Sequence, residues 1–493
     1  MPRQRVRIGG VHTDGLAPPL STDNGAMTTS SSFSSLALAP HVLANLQQLG
    51  YLQMTPIQAA ALPVALAGKD LIAQAATGSG KTAAFALALL STLNPRRFAV
   101  QAMVLCPTRE LADQVSAEIR RLARAEENIK VVTLCGGVAL RGQTASLEHG
   151  AHIVAGTPGR IMDHLERGNL TLEALQTLVL DEADRMLDMG FFDDIAYVAK
   201  QCPKARQTLL FSATYPEGIA KLSQQFMKAP QTISVESQHA QSKIRQVWYE
   251  VQDHARLHAV QAVLNHYRPV STLAFCNTKV QCREVVEVLK AQGFSALALY
   301  GELEQRERDQ VLIQFANRSC SVLVATDVAA RGLDITQLEM VLNVDVTPDA
   351  EVHIHRIGRT GRADENGWAI SLASVDELAA VGRIEKLQNA EYEWQNLGQL
   401  SQLNAASQEP LLAPMTTIQI IGGRKEKIRA GDVLGALTGE LGFAREQVGK
   451  INVNEFSTYV AVDRQVAPKI VRALNAGKVK GRSVRARLLD DET

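Results

Sequence analysis

Residues 75–82 read Ala75-Ala76-Thr77-Gly78-Ser79-Gly80-Lys81-Thr82, a run suited to gripping phosphate. An apolar stretch precedes it and a helical pattern follows, which is the setting a phosphate loop requires. Glycines let the backbone N–H groups of Thr77, Gly78, Ser79 and Gly80 turn toward phosphate oxygens, and the helix start adds positive potential. Lys81 has the reach for β- and γ-phosphates, and the Thr82 hydroxyl suits Mg²⁺. Alanine at position 75 replaces the glycine that opens the strict pattern, so the loop alone is an imperfect match.

A second set of reactive groups follows the apolar run Leu178-Val179-Leu180: Asp181-Glu182-Ala183-Asp184. A carboxylate closing a hydrophobic strand is where phosphate-loop enzymes hold their metal, which marks Asp181 as a Mg²⁺ ligand. Glu182 is then placed to orient and deprotonate an attacking water. A solvated acidic helix start would also suit these residues. The phosphate loop upstream favours the catalytic reading.

The elements that position these groups alternate. Strand-like runs at 70–74, 103–106, 131–134, 153–155, 178–180 and 208–211 are almost continuously apolar, as in a parallel sheet covered on both faces. Helical patterns at 83–90 and 109–124 fall between them, so residues 33–235 read as one α/β domain. A second series, with strands at 272–275, 322–325, 340–343 and 369–372, fills 236–397. Residues 398–414 are polar and read as a linker. Residues 415–493 form a smaller unit, and 1–32, rich in Gly, Pro, Ser and Thr, read as a disordered extension.

Composition sets outer limits. A chain of 493 residues with 46% apolar and 21% charged residues is an ordinary multi-domain globular protein. No apolar run is long enough to cross a bilayer, and no signal peptide is visible. Six scattered cysteines without a CxxC pair read as reduced, buried thiols of a cytoplasmic protein. The formal net charge is zero, so any polyanion site must come from local charge placement.

Taken in order and spacing, these motifs resemble the DEAD-box RNA helicases, from Phe33 onward. The resemblance implies two tandem RecA-like parallel-sheet domains, ATP as substrate with Mg²⁺, and RNA as partner. Gly50-Tyr51 and Thr55-Pro56-Ile57-Gln58 match the family's adenine motif, with Gln58 bonding the base edge and Tyr51 the candidate aromatic cover. Ser212-Ala213-Thr214, with Asp184, matches the element that couples nucleotide state to domain closure. In His355-Arg356-Ile357-Gly358-Arg359-Thr360-Gly361-Arg362, Arg359 and Arg362 correspond to arginine fingers, and His355 links back to the first domain. Gly332 and Asp334 fall at the nucleotide, Asp334 at the ribose. RNA contacts are implied for Thr108, Arg109, Gly136, Gly137, Pro158, Gly159 and Arg160 in the first domain. The second domain contributes Asn277, Thr278, Gln305, Arg308, Thr326 and Arg331. Such a track grips phosphates without reading bases.

Residues 415–493 follow a βαββαβ order, as in RNA-recognition-motif-like α+β domains. They carry an excess of about five positive charges. The paired aromatics such domains use on their central strands are missing, with Tyr459 the only ring there. The expected grip is therefore a basic cluster of Arg424, Lys425, Lys427, Lys478, Lys480, Arg482 and Arg485. With Gly431–Gly439, this module resembles one bacterial branch of the family. That resemblance implies a hairpin in the peptidyl-transferase region of 23S rRNA as target and a role in large-subunit assembly; separately, a monomer is expected. Two alternatives stay open: a general mRNA-remodelling helicase, and an ATP-gated RNA clamp that serves as a scaffold.

Overall fold

Strands apolar on both faces need cover on both sides, and the computed structural model builds two seven-stranded sheets of that kind. It describes residues 31–75, 78–126, 128–215, 217–235, 244–330, 338–361, 367–392, 394–398, 400 and 411–489. The first sheet comprises β1 (Leu71–Gln74), β2 (Ala102–Leu105), β3 (Val131–Leu134), β4 (Ile153–Gly156), β5 (Thr177–Leu180), β6 (Gln207–Ser212) and β7 (Gln231–Ser234). Its strands run parallel in the order β3-β4-β2-β5-β6-β1-β7. One core lies on each face, around Phe85, Val104 and Phe211 on one side and Met103, Leu178 and Leu210 on the other.

The second sheet comprises β8 (Ile244–Glu250), β9 (Thr272–Cys276), β10 (Ala296–Leu299), β11 (Val322–Thr326), β12 (Met340–Asn343), β13 (Gly367–Ala373) and β14 (Trp394–Gln395). Its order, β10-β11-β9-β12-β13-β8-β14, repeats that of the first sheet strand for strand. Each parallel strand delivers its following loop to the same sheet edge, so the two units present equivalent edges built from different residues.

The C-terminal unit is an antiparallel sheet of β15 (Met415–Ile421), β16 (Val448–Val453), β17 (Ser457–Asp463) and β20 (Arg485–Leu488), ordered β16-β17-β15-β20. Helices Ala430–Gly435 and Ala467–Ala476 supply the remainder of the βαββαβ order. Two details add to the plain βαββαβ order. The first helix ends at Gly435 and continues as a π-type turn, Ala436–Glu440, while residues 478–483 form a hairpin of β18 (Lys478–Val479) and β19 (Arg482–Ser483). Strand alternation puts Ile418, Ile420, Val460 and Val462 in the core under the helices. Thr417, Gln419, Ile421 and Tyr459 therefore belong to the opposite face.

Half of that opposite face is covered. Thr417 is fully buried because its hydroxyl meets Ser319 Oγ at 2.7 Å and accepts from Asn317 Nδ2 at 3.2 Å, both from the second unit. The Met415 amide donates to the Arg318 carbonyl at 3.2 Å. Arg464 donates to the Ala413 carbonyl at 2.7 Å and to Ser295 Oγ at 3.3 Å. Of the expected linker, Leu411 and Ala413 are buried against the second unit, because Ser295 bonds both of their backbones.

All six cysteines are free and buried. Among the described residues no helix is long and apolar enough to cross a membrane. Ser32 caps a short 3₁₀ turn, Phe33–Ser35; residues 1–30 of the expected disordered extension lie outside the described residues.

Breaking a buried side chain–backbone interface exposes its amides to exchange. Arg464→Ala should speed hydrogen exchange at Ala413 and Met415 and leave β1–β6 unchanged. Unaltered exchange at both amides would contradict this docking.

Candidate nucleotide and RNA sites

Strand order explains why motifs far apart in sequence meet. β5, β6 and β1 are neighbours, so the loops after them converge on one half of the edge. These loops carry Asp181–Asp184, Ser212–Thr214 and the phosphate loop. β3, β4 and β2 form the other half, and their loops carry Gly136-Gly137, Thr157–Arg160 and Pro107–Arg109.

Within the phosphate loop, Gly78 and Gly80 have φ of 79° and 93°, a region that favours glycine. Gly80 has a second constraint: a Cβ there would lie 2.5 Å from Gln58 Nε2. That amide nitrogen donates to the Gly80 carbonyl at 3.0 Å, while Oε1 accepts from the Thr55 amide at 2.9 Å. Gln58 thus ties the adenine motif to the phosphate loop. Lys81 is buried and donates from Nζ to the Ala75 carbonyl at 2.8 Å. Ser79 Oγ is buried with no partner among the described residues, and Thr82 sits in the first turn of helix Lys81–Ser91. Thr77 lies outside the described residues.

The acidic cluster is buried beside Lys81. Burial pushes the Asp181 carboxyl up to about 7, against the pull of Lys81 and with the push of Glu182. A buried carboxylate in this condition fits a divalent cation, which would replace the missing solvation. Glu182 adopts φ 51° and ψ 51°, a strained conformation for a side-chain-bearing residue, and its Oε2 accepts from Arg185 Nη1 at 2.7 Å. For Asp184, burial works upward, but the Thr214 amide and Lys81 outweigh it and hold the carboxyl below its usual range. Asp184 Oδ2 accepts from the Ala213 amide at 3.0 Å, the Thr214 amide at 2.9 Å and Thr214 Oγ1 at 3.1 Å. The Ser212 carbonyl accepts from the Ala75 amide at 3.0 Å, so this tripeptide touches both the acids and the phosphate loop.

The second unit closes the cleft. Arg185, Asp188, Phe275, Asp327, His355, Arg356 and Arg359 line one cavity between the sheets. Burial lowers the His355 pKa, and Arg185 lowers it further, while Asp184 pulls it upward. Arg356 organises this wall: it is fully buried, grips Asp327 Oδ1 and Oδ2 at 2.7 Å each, and donates to the Asp345 carbonyl at 2.8 Å. Its guanidinium lies 5.1 Å from the Phe275 ring centroid. Arg356 did not stand out in sequence, because its partner Asp327 follows another strand, 29 residues earlier; Arg185 pairs locally, with Glu182 three residues before it. Gly332, Asp334, Arg331 and Arg362 lie outside the described residues.

Along the other half-edge, Thr108 caps helix Arg109–Leu122 and Thr278 caps helix Lys279–Ala291. Arg160 donates to the Val138 carbonyl and Gln143 Oε1, each at 3.0 Å, fastening the Gly136-Gly137 loop to helix Pro158–Glu166. Gly137 lies between Arg109 and Gln305, which reach within 3.7 Å and 3.6 Å of where its Cβ would be. Arg308 Nε donates to Glu110 Oε1 at 2.6 Å across the seam, and Arg109 faces Asp309 at 3.9 Å. Asn277 bonds inward, accepting from Arg356 at 3.0 Å and donating to the Val346 carbonyl at 3.1 Å. Thr326 ends β11 half-buried. Tyr51 packs edge-on to Phe33, with centroids 6.3 Å apart, and its hydroxyl donates to Glu118.

On the C-terminal unit, the structure joins two basic loops. Lys480 Nζ donates to the Lys427 carbonyl at 2.7 Å and pairs with Asp432 at 3.2 Å, and Arg482 reaches the Glu426 carbonyl at 3.4 Å. Arg424, Lys425, Lys427, Lys478, Lys480, Arg482 and Arg485 are all exposed.

The chain matches three family profiles in series. They are DEAD/DEAH box helicase over residues 55–222, helicase conserved C-terminal domain over 255–364, and DbpA RNA binding domain over 417–488. It is 51% identical over 458 residues to the ATP-dependent RNA helicase DbpA of Escherichia coli (strain K12), covering 93% of this chain and 99% of that protein. It is 41% identical over 361 residues to the DEAD-box ATP-dependent RNA helicase CshA of Geobacillus kaustophilus, covering 73% and 76%. Among solved structures, Saccharomyces cerevisiae Dbp5 bound to RNA and ADP BeF3 superposes with a TM-score of 0.69 at 29% identity, covering 76% of this chain and 98% of that one.

If Asp181 is the Mg²⁺ ligand, a proton and the cation compete for it. As pH falls through about 7 the carboxylate is neutralised, so Mg²⁺-dependent nucleotide affinity should weaken between about pH 8 and about pH 6. Calorimetric titration with Mg²⁺ and ATP checks this, with magnesium-free ATP as the reference. Asp181→Asn should flatten the difference; an identical pH profile in that variant would contradict the assignment.

Proposed function

The chain belongs to the DEAD-box family of ATP-dependent RNA helicases, to its DbpA type, and from that premise we propose that it remodels 23S rRNA during assembly of the large ribosomal subunit. RNA-stimulated ATP hydrolysis and an RNA-binding C-terminal domain come with the family. The target within the RNA is the finer step. We read it as the peptidyl-transferase-region hairpin, held by the C-terminal module while the two RecA-like units open a neighbouring duplex. The protein acts as a cytoplasmic monomer with 33–235, 236–397 and 415–493 as its domains.

The residues take the following roles. Lys81 and the amides of Thr77–Thr82 hold the phosphates, Gln58 selects adenine, and Tyr51 covers the base. Mg²⁺, held by Asp181 and Thr82, would neutralise charge on the phosphate oxygens. Glu182 orients the water and takes its proton. Arg359 and Arg362 face the transferred phosphoryl group from the second unit, Gly332 and Asp334 meet the ribose, and Asp184, Ser212, Thr214 and His355 report closure. The RNA backbone follows Thr108, Arg109, Gly136, Gly137, Pro158, Gly159 and Arg160 in the first unit. It continues along Asn277, Thr278, Gln305, Arg308, Thr326 and Arg331 in the second.

One observation carries the targeted reading over general remodelling. The basic cluster of residues 424–427 and 478–482 sits on a module bonded to the second unit through Thr417 and Arg464, rather than on a free tether. A fixed module presents its bound hairpin at a set distance from the cleft, which favours one architecture of substrate.

Steady-state ATPase activity at one salt concentration tests this, because phosphate contacts are salt-sensitive. The expected result is stronger stimulation by an RNA carrying the hairpin than by bulk messenger RNA, with the preference lost on removal of residues 415–493. Equal stimulation by both RNAs would instead support general remodelling.

A further inference from the structure

The C-terminal unit lacks an aromatic pair on its sheet, yet it displays one ring at the rim. Phe456, in the turn between β16 and β17, is 58% exposed. An exposed phenylalanine on a mobile loop would mean little, but this turn is clamped. The Gly422 amide donates to the Phe456 carbonyl at 3.0 Å, the Arg424 amide to the Asn454 carbonyl at 2.9 Å, and the Lys425 amide to the Glu455 carbonyl at 3.0 Å. The approach is so close that a Cβ on Gly423 would lie 2.3 Å from the Asn454 carbonyl oxygen. Two loops are thereby welded into one platform.

The chemistry around the ring is that of a nucleotide site. Lys425 Nζ lies 4.7 Å from the ring centroid and pairs with Glu455 at 3.1 Å. Ile421, also 58% exposed, ends β15 on the uncovered half of the sheet face, in register with Ser457, the residue after Phe456, and with exposed Arg485. Charge supports a polyanion over an apolar protein partner. Burial lowers the pKa of the Arg120 guanidinium in the first unit and the charge of Arg424 lowers it further, an unfavourable pairing of like charges that a phosphate would relieve. An apolar ring backed by a cation on one face suits an unpaired base on the other, because every base offers a π-face.

We propose that Phe456 is a base-stacking residue that takes one unpaired RNA nucleotide, with Ile421 beside the base and Arg485 and Arg424 on its flanking phosphates. The site rests on the RNA-binding role of the C-terminal unit and adds to it a contact on the sheet rim, apart from the Lys478–Arg482 hairpin.

The test measures binding of the full-length protein to a labelled hairpin with an adenosine-rich single-stranded overhang. A matched RNA with an abasic overhang is the control. Phe456→Ala should raise Kd about 5- to 150-fold for the first RNA and leave the second unchanged, the range expected for losing one stacked base. Phe456→Tyr should restore binding, and Phe456→Trp should show indole quenching on RNA addition. A combined Lys478→Ala and Arg482→Ala variant separates the readings. If it weakens binding while Phe456→Ala does not, the stacking site is wrong and the basic-cluster reading survives. If both variants bind as tightly as the parent protein, both readings fail.

Discussion

Everything in the core depends on keeping three carboxylates dry at the end of one strand. Asp181, Glu182 and Asp184 are each less than a tenth exposed, and like charges so placed repel unless something answers them. Lys81 answers from the phosphate loop, Arg185 from the same helix, and three donors of Ala213 and Thr214 from the next loop. Asp181 is left furthest from balance, and its proton affinity records that debt. A cation and a nucleotide phosphate, bound as proposed, would complete the charge set and make the site responsive to what is bound.

The same constraint explains how the units communicate. Asp184 is held by the loop after β6, and that loop's Ser212 carbonyl holds the start of the phosphate loop. Anything that shifts phosphate contacts therefore shifts the donors on Asp184. His355 of the second unit feels the field of Asp184, Arg185 and Glu182 directly. Farther along the edge, Glu110–Arg308 and Arg109–Asp309 join the units through groups assigned to the RNA track. In the proposed assignment nucleotide and RNA share one seam, so whichever ligand favours the closed seam would assist the other.

Much of this was legible in the sequence. The phosphate loop, the acids after β5 and the tripeptide after β6 are local patterns that follow apolar strands, and local patterns survive without coordinates. Strand β10, Ala-Leu-Ala-Leu, has helical composition, and the edge strand β7 is largely exposed, so neither has a clear strand signature. The expected linker proved partly packed because Ser295 captures its backbone, a contact no composition reveals. The seam was the least visible part: Arg308 and Glu110 are 198 residues apart, and only the shared strand order of the two sheets brings them face to face. Phe456 has no strand signature, because its ring sits in a turn held against Gly423.

In the proposed roles, Asp184 transmits nucleotide state to RNA grip. The decisive measurement is the coupling between the two ligands: the affinity for a nonhydrolysable ATP analogue with and without saturating RNA, and the converse. In the parent protein each ligand should strengthen the other by the same factor, as linkage requires. In Asp184→Asn both separate affinities should hold while that factor falls toward one. Undiminished coupling in the variant would contradict the account.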